Sequence, residues 1–397
     1  MYQEARHEPL IEAEWQQESA LGAIDRIVRD THARFDPQTL WPIHPLDKLS
    51  DNPTEPFRML YFGAAGVLWA LHYLNVVGAT AMKRDFAELF IDLAMKNRAA
   101  LHLAAPHTNS YLMGDVGVLM VQWRLAPSAI LADQIFYAVE ANIMNPAREL
   151  MWGAPGTMLA ALFMLESTGD ERWREVYVRN VAQLLSEWQR NEQHDCYLWT
   201  QDLYGRSSIY LGAVHGFAAN VFAIIQGRKY LDPQTLSLVE SRARETLKRC
   251  AQTDAVYANW SAGAGGSGKL VQHCHGAPGM ITCLAALPSA VDEVFDQLLE
   301  KGGELIWRAG PLAKGSNLCH GTAGNGYALL KLYRRTGDAK WLERARAFAM
   351  HAIDQSERHV RQYGYRRYSL WTGDVGLAVY LWDCINGEAR FPTMDVF

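Results

Sequence analysis

Two kinds of helical segment alternate along the chain, and they differ in how apolar residues are distributed around the helix. Residues 158–165 and 327–332 are apolar on almost every side, which is typical of buried helices. Residues 341–349 place charged side chains on one face and apolar side chains on the other. The pattern predicts an all-α fold in which each buried helix is followed by a half-exposed partner.

Glycines mark the start of each predicted buried helix. A Gly-x-x-Gly step precedes the apolar run at six places, and a seventh step has alanine at the second glycine position. The mean spacing of about fifty residues suits a helix-pair repeat. The seven steps begin at Gly63, Gly114, Gly153, Gly216, Gly276, Gly321 and Gly373, and Ala219 completes the fourth.

A second motif recurs at a fixed distance from two of these steps. The sequence Thr-Gly-Asp begins at Thr168 and at Thr336, in each case fifteen residues after the glycine that opens the step. It predicts the turn from a buried helix to its amphipathic partner, with Asp170 and Asp338 as N-caps.

The last repeat is as apolar as the internal ones, whereas an open array of helix pairs needs polar capping units. We therefore predict that the array closes into a ring, with seven helix N-termini around one central cavity. A single domain is expected over residues 1–397. It comprises an N-terminal helix and a proline-rich connector over 1–57, followed by seven helix pairs over 58–385.

The composition indicates a globular protein in a reducing compartment. Apolar residues make up 49% of the 397, yet no uncharged run approaches the ~18 residues of a membrane span. The net charge of −5 gives no broad basic field for nucleic acid. The charged start does not resemble a signal peptide, and the six cysteines lack close-set pairs. We expect a cytoplasmic monomer with no membrane span and no nucleic-acid partner.

Cys274, Cys319 and His320 form the strongest candidate site in the sequence. They stand directly before two glycine-led helices, at equivalent positions that a ring would bring together. Thiolate and imidazole are ligands of Zn²⁺, and a catalytic zinc keeps three protein ligands and one open position. These three residues are predicted zinc ligands, and His275 is expected to line the wall or support a ligand. The other four cysteines are interpreted as small buried apolar residues.

The motifs Cys-His-Gly-Ala-Pro-Gly and Cys-His-Gly-Thr-Ala-Gly-Asn, with the His215-Gly216 step before them, resemble the lanthionine synthetase C (LanC) family over about residues 55–385. Lys314-Gly315, five residues before Cys319, is more similar to the eukaryotic LanC-like proteins than to the bacterial lantibiotic cyclases. The resemblance implies an α/α toroid (double α-barrel) of seven inner and seven outer helices, with zinc held by Cys274, Cys319 and His320. It also implies thioether formation by addition of a thiol to dehydroalanine or dehydrobutyrine. The thiol is a peptide cysteine in the cyclases and glutathione in the LanC-like branch.

His215 and Glu149 are the candidate acid and base groups. His215 is equivalent in the repeat to His275, and imidazole titrates near neutral pH, so it can protonate the enolate that thiol attack creates. The alternative is a buried histidine bonded to the backbone. Glu149 stands four residues before Gly153, where the cyclases carry an aspartate, and this departure leaves a direct base role open.

Lys314 is predicted to pair with a carboxylate of glutathione, with Arg6 as a weaker candidate. A solvated lysine is the alternative. Residues 263–270 match most of a phosphate-binding loop, but Leu270 replaces the Ser or Thr that would hold magnesium, and no strand precedes the loop in a βαβ unit. A flexible loop is predicted there.

Two further functions compete with thiol addition. One is a zinc-containing scaffold that binds glutathione or a protein with little turnover. The other is a carbohydrate enzyme on a similar helical toroid, in which paired carboxylates would act and no zinc would bind. Metal analysis separates the second from the others, and a product assay separates an enzyme from a scaffold.

Overall fold

The computed structural model describes residues 1–47, 55–81, 84, 86, 89, 93–101, 107–288 and 292–397. Within these residues, fourteen α-helices form an α/α toroid, numbered here in chain order. Seven inner helices follow the glycine steps: α2 (Ala64–Val76), α4 (Asp115–Leu125), α6 (Ala154–Thr168), α8 (Phe217–Gln226), α10 (Ala277–Leu284), α12 (Thr322–Thr336) and α14 (Asp374–Asn386). Seven helices form the outer layer: α1 (Gln17–Ala33), α3 (Leu93–Ala100), α5 (Ala129–Ala141), α7 (Arg172–Ser186), α9 (Pro233–Cys250), α11 (Glu293–Ala309) and α13 (Ala339–Tyr363).

The ring is closed between the last inner helix and the first. Each inner helix contacts the next one along the chain, and α14 also contacts α2. The outer partner of α14 is α1, so the N-terminal helix supplies the outer member of the seventh pair. The described part of residues 58–385 thus contains seven inner helices and six outer ones, whereas the sequence pattern predicted all seven pairs there.

The N-terminal connector is described only in part. Residues 48–54 of the predicted proline-rich segment lie outside the described residues. Before them, Pro45–Asp47 form a short 3-10 helix. None of the helices in the described part of the chain combines the length and the apolar character that crossing a membrane requires.

In the six steps that have a second glycine, that glycine permits close approach between neighbouring repeats. A Cβ atom added at Gly279 would overlap the carbonyl oxygen of His273 and lie 2.7 Å from Cβ of Ala213 in the preceding repeat. The same crowding occurs at Gly324, where the added atom would overlap the carbonyl oxygen of Leu318. The repeated glycines therefore let each inner helix begin directly against its own preceding turn and the turn of its neighbour.

The two Thr-Gly-Asp segments form the predicted inner-to-outer turns. Gly169 and Gly337 end α6 and α12 in left-handed conformations, with φ of 68° and 71°. Asp338 caps α13 by accepting a hydrogen bond from the backbone N–H of Lys340 at 3.0 Å, as predicted. Asp170 accepts from the N–H of Arg172 at 3.1 Å, but the residue directly before α7 is Glu171, so the cap is displaced by one position.

Three short antiparallel hairpins are inserted before inner helices α8 and α10. They are β1 (Gln189–Asn191) with β2 (Cys196–Leu198), β3 (Gln201–Leu203) with β4 (Arg206–Ser208), and β5 (Gln252–Thr253) with β6 (Ala258–Asn259). They lengthen the connections from α7 to α8 and from α9 to α10, which accounts for the uneven spacing of the repeats.

Residues 391–397 occupy part of the interior of the ring. The hydroxyl of Tyr111 donates to the carbonyl oxygen of Thr393 at 2.9 Å, and the indole of Trp371 donates to the Thr393 hydroxyl at 3.1 Å. Lys331 of α12 pairs with Asp395 at 2.7 Å. This segment therefore joins several inner helices from within the ring.

Candidate metal centre

The residues directly before the inner helices form a circle, which we call the rim. Backbone hydrogen bonds at or next to these residues join most pairs of neighbouring repeats. Tyr61 N–H donates to Leu112 at 3.0 Å, Cys274 N–H to Cys319 at 3.0 Å, and Trp371 N–H to Tyr61 at 3.0 Å, closing the circle. The rim consists of Tyr61–Phe62, Leu112–Met113, Met151–Trp152, Val214–His215, Cys274–His275, Cys319–His320 and Trp371–Thr372.

Cys274, Cys319 and His320 come together on one side of the rim. One donor atom from each residue lies within 4.8 Å of the others, and both cysteines are buried. The bonds of about 2.3 Å to sulfur and 2.0–2.1 Å to nitrogen in a tetrahedral zinc site put ligand atoms roughly 3.5–3.8 Å apart. Small side-chain rotations therefore bring the three donors into joint reach of one ion.

The charges around these donors suit a soft divalent cation. The Cys319 thiol donates a hydrogen bond to Cys274, which lowers the pKa of Cys274 and raises that of Cys319. Burial, with the charges of Lys314 and Arg367, lowers the pKa of His320 to about 3, so its imidazole is neutral at pH 7. Zinc ligation requires a neutral imidazole and deprotonated sulfurs. A cation would compensate the negative charge of the thiolates, so the donor set fits zinc.

Two side chains that the sequence analysis did not identify also contact the cysteine sulfurs. The amide Nε2 of Gln272 donates to Cys274 Sγ at 2.9 Å. Tyr61, the rim residue of the first repeat, bonds to the thiol of Cys319. Tyr61 occupies the repeat position of both cysteines, and that register is the signal that would have identified it.

Arg6 and Lys314 lie near the same donors. The Arg6 guanidinium donates to Oε1 of Gln272 at 3.4 Å. The N-terminal segment is fixed there because Ala313 N–H donates to the Arg6 carbonyl at 3.0 Å. Lys314 follows directly and is exposed. Two cationic side chains thus lie beside the three donors, one of them largely free in solvent.

His215 and Glu149 form a hydrogen-bonded pair beside the cysteines. His215 Nδ1 donates to Glu149 Oε2 at 2.8 Å, because a carboxylate can only accept. Glu149 is fully buried and also accepts from the N–H groups of Met151 and Trp152 at 3.0 and 2.5 Å. The carboxylate is therefore fixed in place, and it holds the proton of His215 on Nδ1.

The environment of His215 favours its protonated form. Burial opposes protonation, but the hydrogen bond and the charge of Glu149, with the charge of Cys274, raise the pKa of His215 above its ordinary value. This is the expected behaviour of an imidazole paired with a carboxylate. His215 can thus carry a transferable proton at neutral pH.

His275 lies between the two groups without joining either. Its ring centroid is 6.1 Å from that of His215 and 6.0 Å from that of Tyr210. Burial and the charge of His215 lower its pKa to about 4, so it is neutral. His275 and Tyr210 therefore form the wall next to His215.

Comparison with known proteins gives consistent matches over most of the chain. A family model described as "Lanthionine synthetase C-like protein" matches residues 57–396. The glutathione S-transferase LANCL1 of Danio rerio is 30% identical over 363 residues, which cover 85% of this chain and 84% of that protein. The LanC-like protein GCL1 of Arabidopsis thaliana is 36% identical over 134 residues, or 32% of this chain and 31% of that protein.

A solved structure shares the fold. Nisin cyclase superposes with a TM-score of 0.60 at 14% sequence identity and covers 92% of each chain. At this identity the similarity concerns the architecture alone. It agrees with the closed ring of inner and outer helices described above.

Proposed function

Because the chain belongs to the lanthionine synthetase C-like protein family, we propose that it is a zinc-dependent enzyme that adds a thiol to dehydroalanine or dehydrobutyrine. The product is a thioether of the lanthionine type. The observation that carries the proposal is the convergence of two thiols and one neutral imidazole beside the His215–Glu149 pair.

Cys274, Cys319 and His320 would hold the zinc ion. When bound there, zinc would act as a Lewis acid that lowers the pKa of an incoming thiol. The chain's own contribution is to orient the ligands. Gln272 donates to the sulfur of Cys274, and Arg6 in turn holds the amide of Gln272. Such supporting hydrogen bonds fix ligand orientation in metal sites.

The second half of the reaction needs a proton at a defined place. Attack of the thiolate sulfur on the alkene β-carbon forms the C–S bond, breaks the C–C π bond and leaves an enolate on the substrate. Protonation of the α-carbon completes the addition. His215 delivers this proton, since its hydrogen bond to Glu149 raises its pKa and favours the protonated imidazole.

Glu149 acts through His215 in this proposal. Its carboxylate is buried and already bonded to two backbone N–H groups, so it orients the imidazole and does not itself reach a substrate. These contacts support a positioning role for Glu149 rather than a direct base role.

Glutathione is the thiol that we propose. The relative from Danio rerio is named a glutathione S-transferase, and Lys314 and Arg6 offer two cations beside the candidate ligands. Glutathione carries two carboxylates, one at each end of the tripeptide. Lys314, which is exposed, would pair with one of these.

A product assay with metal analysis tests the proposal. The purified chain is loaded with zinc, its metal content is measured, and it is incubated with glutathione and a peptide that contains one dehydroalanine. We expect one zinc per chain and a peptide heavier by one glutathione, with neither in the Cys319→Ala variant. If the chain binds zinc but forms no product, it is a binding scaffold and not an enzyme. If the chain binds no zinc, the proposal is wrong altogether.

The same assay distinguishes the two thiols. A second peptide carries both a cysteine and a dehydroalanine, so ring closure leaves its mass unchanged and removes its alkylatable thiol. If this peptide cyclises while the first gains no glutathione, the thiol is a peptide cysteine and the assignment of Lys314 is wrong.

A further inference from the structure

A second pair of cysteines lies far from the rim in sequence. Cys196 of β2 and Cys250, the last residue of α9, have their sulfurs 3.8 Å apart. Cys196 is fully buried and Cys250 is partly exposed. The spacing of 54 residues concealed this pair in the sequence, where both residues were interpreted as small apolar ones.

We propose that Cys196 and Cys250 form a reversible disulfide that responds to the ratio of glutathione to glutathione disulfide. A disulfide needs a sulfur separation of 2.03–2.05 Å, and a pair in van der Waals contact reaches it by rotation about the side-chain torsions. Cys196 begins the short strand β2 and Cys250 ends α9, so both side chains have room for the small movement that brings the sulfurs together.

The contacts around the pair keep the two backbones together. The Thr246 hydroxyl of α9 donates to the carbonyl oxygen of Tyr197 at 2.9 Å, and Tyr197 N–H lies 3.3 Å from the same hydroxyl oxygen. Arg242 of α9 stacks over the Tyr197 ring at 4.1 Å. These contacts hold β2 against α9 in the reduced protein and so keep the two cysteines next to each other.

Cys250 is the partly exposed residue of the pair, so glutathione disulfide reaches it first. The Cys250 sulfur attacks glutathione disulfide and releases one glutathione, and Cys196 then attacks the mixed disulfide at the Cys250 sulfur and releases the second. One S–S bond breaks in glutathione disulfide and one forms between the two cysteines. The two thiol protons and two electrons pass from the protein to two molecules of glutathione.

The bond would immobilise one wall of a cleft near the rim. The hairpin of β1 and β2 carries His194 into a cleft of about 520 Å³ that Tyr210 also lines. The Tyr210 ring lies 6.1 Å from that of His215. Anchoring β2 covalently to α9 therefore restrains the hairpin that borders the approach to His215.

The zinc-loaded full chain is equilibrated in buffers of increasing glutathione disulfide, then quenched by alkylation. We expect a species that carries two alkyl groups fewer than the reduced chain and, apart from those groups, is about 2 Da lighter, the two hydrogens of a dithiol. Peptide mapping should join Cys196 to Cys250, and dithiothreitol should reverse the change. Amide hydrogen exchange of residues 189–198 should slow in the oxidised form. The Cys384→Ala variant, which removes a buried unpaired thiol, should behave like the wild type, and Cys196→Ser should retain glutathione on Cys250.

The wild-type measurement decides the proposal even if a variant does not fold. The proposal is wrong if both thiols remain free in the buffer with the most glutathione disulfide. It is also wrong if Cys250 keeps a glutathione adduct that Cys196 does not displace. Unchanged hydrogen exchange in the cross-linked form would refute the restraint on the hairpin. None of these outcomes depends on thioether formation.

Discussion

The rim has two arcs with the same backbone and different side chains. One arc is formed by repeats four to six. It carries His215, His275 and His320 directly before the opening glycines, and two cysteines one residue earlier. The other arc carries tyrosine, tryptophan, leucine and methionine at the cysteine positions, namely Tyr61, Leu112, Met151 and Trp371. Backbone hydrogen bonds link neighbouring repeats in both arcs. The scaffold is thus common to all repeats, and the two arcs differ in the side chains at two positions per repeat.

The largest effect is expected when one predicted ligand in the first arc is replaced by alanine. The same replacement at the equivalent position of the second arc is the control. Cys319→Ala removes one of three predicted zinc ligands, so we expect loss of bound metal and of thiol addition, measured by metal analysis and product mass. The matched change Leu112→Ala leaves the ligands intact and costs about 2–5 kcal/mol of folding stability through a cavity. If Cys319→Ala retained all of its zinc, Cys319 would not be a zinc ligand, and the proposed difference between the arcs would be wrong.

The next test concerns the imidazole that is not a predicted ligand. His215→Ala should keep its zinc while turnover falls by ~10²-fold, since general acid catalysis contributes at least that much. Met113→Ala, at the same position of the other arc, should leave the rate nearly unchanged. Equal rates in the His215 variant and the wild type would remove the acid role.

The charge of Glu149 should appear in the pH profile. The raised pKa of His215 depends on that carboxylate, and the acid form is lost as pH rises through it. Glu149→Gln should lower the pKa of His215, so the alkaline decline in rate moves to lower pH. The rate at neutral pH should fall by about tenfold, at the low end for supporting hydrogen bonds. A profile that does not move would assign Glu149 a purely structural role.

The smallest effect is expected at the edge of the site. Lys314→Ala should raise KM for glutathione by about two- to fivefold with little change in kcat, because exposed ion pairs contribute less than about 1 kcal/mol. Lys269→Ala, which removes another exposed lysine, is the control. An unchanged KM would indicate a solvated lysine.

The sequence signal for the candidate ligands is their repetition in type and offset. Cys274 and Cys319 stand two residues before their glycines, so the register alone brings them together. The hydrogen bond from His215 to Glu149 could not be derived, since 66 residues separate them and only the ring brings them close. Gln272 was also missed, because a glutamine near a turn carries no periodic signal.

The fold, like the site, has features that the sequence pattern predicts and features that it does not. The alternation of apolar and amphipathic helices, together with the glycine steps, predicted an all-α toroid. The structure confirms this fold. The amphipathic pattern of α1 shows that one face is buried but not which inner helix covers it. The interior segment 391–397 has no periodicity at all, so its position depends on specific contacts such as those of Thr393.

The pairing of α1 with α14 has a consequence for biosynthesis. The Tyr368 hydroxyl before α14 donates to Asp30 of α1 at 2.6 Å, and the two residues are 338 positions apart in the chain. At translation speeds of about 5–20 residues per second, the early helices wait roughly 20–80 s on the ribosome before their final neighbour emerges. During that interval the flank of α2 that α14 will cover remains uncovered. This exposed apolar surface makes the nascent chain prone to aggregation, so holding chaperones should increase its yield.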